Sequence, residues 1–168
     1  MSSDNAVQKF AHLSPCGLYR YRLDRYWGPG ARLPFVMLNP STADHKIDDP
    51  TIRRCMSFAR REGAGGITVA NLFALRATDP AALRESHVYS FGPGNFDALY
   101  ELAIWAVNVD MPIVCAWGAG GSIHGGDAIG VEILKQRKPR LVCLGKTKGG
   151  SPRHPLYVRG DQPFEAYP

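Results

Sequence analysis

The chain has 168 residues, 45% of them apolar and 21% charged, which is the composition of a soluble globular protein and the length of a single domain. No apolar run approaches the roughly 20 residues of a membrane span, and the opening MSSDNAVQKFAHLS lacks the apolar stretch of a secretory signal, so a cytoplasmic location is expected by default. A net charge of +5 permits an acidic partner such as nucleic acid without requiring one.

In chain order, GLYRYRLDRYW (Gly17 to Trp27) alternates as a half-exposed strand or hairpin arm does, and GPGAR then supplies a turn. Within a single domain spanning 1–168, residues 1–30 are therefore expected to be an N-terminal strand or hairpin extension and 31–158 the core. LPFVML reads as an apolar strand. DDPTIRRCMSFARREG follows as a helix, with Asp49 as N-cap, Pro50 at the first helical position and Gly63 at the stop. GITVANLF is a second strand, and ATDPAALRES repeats the cap-and-proline device at Asp79 and Pro80 for a short helix. GPGNFDALYELAIWAVNV predicts a longer helix capped by Asn95, with Phe96, Leu99, Tyr100, Ala103 and Val107 near helical spacing. PIVCAWG is a third strand, GGDAIGVEILKQRK a helix and RLVCLG a fourth strand.

Near-continuous apolar strands alternating with helices predict an α/β domain of three layers, with a four-stranded, mainly parallel sheet buried on both faces. Ligands bind beyond the carboxyl ends of the strands in such sheets. Asn39, Asn71, Trp117-Gly118 and Gly145 fall at those ends, so the polar stretches share one edge.

The four cysteines are far apart, and Cys115 and Cys143 lie in apolar strands, which reads as small buried hydrophobes and not as disulfides or a zinc site. No metal and no cofactor is expected. LGKTKGGSPRHP is not a Walker loop, because Arg140 stands where the first glycine is needed and the other glycines follow the lysine. It remains a loop of glycines and donors (Lys146, Thr147, Lys148, Ser151, Arg153, His154) suited to a phosphate. His154 follows a strand end on the ligand edge, whereas His87 and His124 are expected away from it. Asn39 and Asn71 are turn or cap residues in the plain reading, but their placement at adjacent strand ends favours a site. Asp44, Asp48 and Asp49 follow Asn39 closely. Arginines cluster at 20, 22 and 25 and again at 53, 54, 60 and 61, as solvated faces or as phosphate contacts.

FVMLNPSTAD, DDPTIRRC, ANLFALRATDP, AWG and LGKTKGGSPRHPLY together resemble the bacterial and phage family catalogued as domain of unknown function 1643, over roughly Tyr19 to Val158. More distantly, Leu38-Asn39-Pro40, Ala70-Asn71-Leu72 and Arg153-His154-Pro155 are similar to the ordered motifs of the uracil-DNA glycosylase superfamily. That likeness implies a glycosylase-like core and hydrolysis of the base–sugar bond of a flipped, modified or unmodified base. It implies catalytic roles for Asn39, which would orient water, and His154, which would stabilise the departing base, with Asp49 beside them. Asn71 would read the base edge, and Pro40, Ser41, Asp44, Arg53, Arg54, Lys148, Ser151 and Arg153 would complete substrate binding. The sequence departs from the pattern at Leu38 and Ser41 and has no aromatic in the loop after Asn39 to stack on a base. DNA or a nucleotide is the expected partner, with no membrane and no identified protein partner. Two rival readings stay open: a non-catalytic nucleic-acid-binding module, and an enzyme of a free nucleotide.

Overall fold

The computed structural model describes residues 6–85 and 87–168. The first five residues of the expected N-terminal extension, and Ser86 at the end of the expected short helix, lie outside the described residues.

One mixed sheet of seven strands runs in the order β1-β2-β4-β3-β5-β6-β7. The strands are β1 (Gln8–Leu13), β2 (Arg20–Tyr26), β3 (Arg32–Met37), β4 (Gly66–Asn71), β5 (Ile113–Cys115), β6 (Leu141–Cys143) and β7 (Glu165–Ala166). The four expected strands are β3 to β6, and their pairings β3/β4, β3/β5 and β5/β6 are all parallel. The expectation of four strands is corrected to seven. The arm read as an extension pairs antiparallel with β4, Leu23 opposite Val69, and so joins the sheet. At the other edge β7 has two residues, too few for any periodicity to register.

Alternation along β3 divides the core. Leu33, Phe35 and Met37 pack with Ile52, Cys55 and Phe58 of α1 (Pro50–Arg61) on one face. Val36 packs on the other face with Leu99 and Ala103 of α3 (Asn95–Asn108) and Leu134 of α4 (Gly126–Lys135). Each such side chain, fully buried, contributes about 1.5–3 kcal/mol relative to exposure.

The cap predictions hold at two sites of three. Asp49 accepts from Ile52 N at 2.9 Å with Pro50 behind it, and Asp79 accepts from Ala81 N at 2.9 Å at the head of a 3-10 turn, Pro80–Arg84. At α3 the cap is Gly94, at φ 81°, and Asn95 is the first helical residue. Asn95 is wholly buried and its Nδ2 donates to the carbonyls of Asn71 and Leu72, 3.0 Å each, so it fastens the end of β4. The buried face of α3 is Leu99, Leu102, Ala103 and Ala106; Phe96 and Val107, which share the helical spacing, are 44% and 45% exposed. A five-residue helix α2 (His87–Phe91) precedes it.

Candidate functional site

A cavity of about 400 Å³ opens where β3, β4 and β5 end, and the N-terminus of α1 and the segment after β6 complete its walls. Asn39, Ser41, Asp49, Asn71 and His154 all line it. Adjacent parallel strands deliver Asn39 and Asn71 to the same edge, since Met37 pairs with Asn71. Gly118, at φ 71°, turns the chain after β5 and donates its N–H to Pro152 O at 2.8 Å, which draws the late segment over the strand ends. A side chain at Gly118 would meet the Cβ of His154 at 3.5 Å, in a backbone conformation strained for any residue but glycine.

Asn71 is 1% exposed, and neither its Nδ2 nor its Oδ1 has a hydrogen-bond partner. An orphaned buried amide costs about 1–3 kcal/mol, which makes Asn71 the least satisfied polar side chain named among those lining the cavity. Asn39 is half committed. Its Nδ2 donates to Pro40 O at 3.0 Å and Ala77 O at 2.9 Å, leaving Oδ1 as its acceptor toward the cavity. Both carboxylate oxygens of Asp49 take backbone donors, Ile52 N at 2.9 Å and Ala43 N at 3.4 Å. The acid therefore both caps α1 and holds the loop that forms the rim. His154 accepts from Leu156 N through Nδ1 at 3.3 Å. Burial lowers its pKa, and the Asp49 carboxylate works in the opposite sense.

Arg20, Trp117 and Tyr157 are among the lining residues that the sequence does not mark as site residues. Arg20, from the arm taken for an extension, is 2% exposed against the cavity. Trp117 and Tyr157 bring the aromatic surface that the first loop lacks, with Tyr157 75% exposed at the mouth and its ring centroid 5.6 Å from that of His154. In the sequence Tyr157 closes HPLY, two positions after Pro155.

The other expected binding residues stand outside the cavity. Pro40 contributes a carbonyl that accepts from Ala77 N at 2.9 Å. Asp44 folds its own loop, accepting from Lys46 N at 2.7 Å and Ile47 N at 2.8 Å, and these two donors lower its pKa. Arg53 donates to Asp48 O at 2.5 Å. Arg54 donates to Pro155 O at 3.3 Å and to Val158 O, tying the late segment to α1. The glycine-rich loop is a tight reversal in which Thr147 and Ser151 bond to each other through the backbone, N to O, at 2.8 Å; Ser151 N also donates to Thr147 Oγ1 at 3.1 Å. The backbone donors of Thr147, Gly150 and Ser151 are spent on closing this turn. Lys148 and Arg153 are exposed beside it, Arg153 donating to Tyr157 O at 3.1 Å. His124 lies away from the cavity with Nε2 2.6 Å from Leu83 O, and His87 is its ring neighbour at 6.0 Å. All four cysteines are free, three of them buried. Among the described residues no helix is long and apolar enough to cross a membrane.

The loop from Ser41 to Asp49 is held from the arm. Arg25, wholly buried, donates to Asp48 Oδ1 at 2.6 Å and to the carbonyls of Asp44 at 2.5 Å and Ile47 at 3.2 Å. Lys9 donates to the other Asp48 oxygen at 2.6 Å. Of the early arginine cluster, Arg20 and Arg25 thus face inward, and only Arg22 is a solvated charge.

The family model described as "Protein of unknown function (DUF1643)" matches residues 20–156, and the chain belongs to that family. No curated protein matches the sequence. Among solved structures, carboxyl esterase 2 from the mycorrhizal fungus Tuber melanosporum is similar at 14% identity and a TM-score of 0.38. The likeness covers 84% of this chain and 44% of that one, and it carries no conclusion about activity.

Proposed function

We propose that this member of the DUF1643 family takes a flipped nucleobase into the cavity and hydrolyses its bond to the sugar. The observation that carries the reading is Asn71: a side chain 1% exposed, with donor and acceptor both unpartnered, on the wall of a cavity that Asn39 and His154 also line. An amide offers one donor beside one acceptor, the complement of a base edge. Leu38, Asn39, Asn71 and His154, drawn from the three motifs that resemble uracil-DNA glycosylases, line this cavity, which supports the reading.

Chemistry follows from the three groups. The C1′–N bond breaks with its electron pair going to the base, leaving an oxocarbenium-like sugar. Neutral His154, with Nδ1 occupied by Leu156 N–H, carries its proton on Nε2 and donates it in a hydrogen bond to the negative charge growing on the base. Asn39 Oδ1 accepts from a water and aims its oxygen at C1′; the proton that water loses leaves to solvent. The fixed Asp49 carboxylate lends negative potential to the cationic sugar. Tyr157 at the mouth offers a face for stacking.

The test is incubation with a panel of modified-base oligonucleotides, followed by alkali to reveal abasic sites. Cleavage of one member, lost in Asn71→Ala, supports the reading; a panel left whole by the wild type counts against it. One observation favours the free-nucleotide alternative: Arg53, Arg54 and Arg153 bond to carbonyls of the protein itself, which thins the expected track for a polynucleotide backbone. A shallow dependence of binding on salt would select that alternative, since contact with several phosphates gives a steep one.

A further inference from the structure

Arg20 is a buried charge on the cavity wall. It is 2% exposed and lines the cavity, and its Nη1 donates to Ala43 O at 2.7 Å, which fixes the plane of the guanidinium. Nε is buried with no partner. Among the described residues the ion pairs include Arg25 with Asp48 and Arg32 with Asp24, both 2.6 Å, but none involves Arg20. Asp49 acts on it only at longer range, its oxygens being occupied by Ile52 N and Ala43 N. Burial accordingly brings the Arg20 pKa down to about 10, with Asp49 offsetting part of the effect and Arg76 and Arg25 adding to it. A buried cation without a paired anion is an unstable arrangement unless something else supplies the charge.

With Nη1 anchored on Ala43 O, the edge left without a protein partner is the one formed by Nε and Nη2, Nε itself being shielded from solvent. Its two parallel N–H groups match the two oxygens of a carboxylate or phosphate. We propose that Arg20 grips an oxyanion side-on, so that the cavity's ligand carries an acidic group beside the edge that Asn71 reads. The anion has two possible sources, the phosphate of the nucleotide or a carboxylate on a substituent of the base. The position of the remaining ligand rests on the nucleobase reading; the anion site stands without it.

Isothermal titration with inorganic phosphate and with acetate at fixed ionic strength tests the proposal. Wild type binds at least one of them saturably, one per chain. Arg20→Gln weakens that binding about 10–100-fold, the usual loss for a charge-assisted paired contact. The double variant Arg137→Ala/Arg140→Ala, altered at exposed residues outside the cavity, stays within about twofold of wild type. Tighter phosphate assigns the anion to the nucleotide, and tighter acetate to an acidic base. Absence of saturable binding in the wild type, or equal binding by Arg20→Gln, overturns the proposal. Should Arg20→Gln not fold, the wild type decides alone: the Nε–H magnetic resonance of Arg20 moves during the titration, and a stationary signal overturns the site. An oligonucleotide panel left uncleaved while the isotherm survives removes the glycosylase reading and retains this one.

Discussion

The backbone N–H of Leu156 donates to Nδ1 of His154 at 3.3 Å, which commits that ring nitrogen as an acceptor and leaves the proton of the neutral ring on Nε2. A donor fixed in this way is suited to a departing anion. His154→Ala is expected to slow single-turnover cleavage about 10²–10³-fold with little change in substrate affinity. Rapid-quench kinetics alongside equilibrium binding would measure both, and an effect confined to affinity would remove the residue from the chemistry.

Burial of the same ring has a consequence for stability. The folded pKa lies below the unfolded value of about 6.5, so the unfolded chain binds more protons as the pH falls through that value. Wild type should therefore lose stability relative to His154→Gln below that pH and not above it. Melting temperatures of the two proteins taken from pH 8 down to pH 5 check the sign.

Asn71→Leu should do opposite things to stability and function. Removing an unpartnered buried amide relieves about 1–3 kcal/mol, so the midpoint of urea unfolding should rise, while ligand binding is lost. A variant that is less stable would mean that Asn71 serves the core and not a ligand.

Asp48→Asn should loosen the rim without touching the cavity wall. Burial would raise the Asp48 pKa, but Lys9 and Arg25 outweigh it and the net shift is downward, so this contribution is present above the unfolded pKa and lost as pH falls through the folded one. Breaking such a pair around the wholly buried Arg25 costs about 3 kcal/mol. Faster hydrogen exchange over residues 43–48, with exchange in α4 unaltered, is the expected signature.

Two groups of basic residues should separate cleanly. Lys148→Ala with Arg153→Ala should weaken nucleic-acid binding and reduce its salt slope by up to about two, because these side chains are exposed beside the mouth. Arg54→Ala should instead lower the melting temperature, since its guanidinium holds the carbonyls of Pro155 and Val158. Equal salt slopes for all the variants would make every one of these charges structural.

Near-continuous apolar runs set between helices, together with the strand-end rule, were enough to find β3 to β6 and to bring Asn39, Asn71 and His154 to one edge, because parallel strands are buried on both faces and end together. Arg20 was illegible for a definite reason. An arginine in an alternating arm reads as a solvent-facing charge, and only contacts distant in sequence, Arg20 N to Ala74 O at 3.0 Å and Nη1 to Ala43 O at 2.7 Å, hold it inward. Asn95 misled likewise: asparagine before a helical run is a good cap by local propensity, but its contact with β4 is long-range and outweighed that preference. The glycines after Lys148 suggested a phosphate cradle, yet Gly150, at φ 86°, serves a reversal closed by Gly150 N to Thr147 O at 2.9 Å.

The pairing of β2 along β4 also protects the protein from its neighbours in solution. All six residues of β4 are buried, and Leu23 to Tyr26 cover one side of its backbone. A fragment clipped after Tyr26 would bare a flat apolar edge with unpaired N–H and C=O groups, the template on which strands from other chains add. The arm is thus a guard against self-association as well as a brace for the cavity rim, and proteolytic nicking in the turn at 28–31 would be felt first as turbidity.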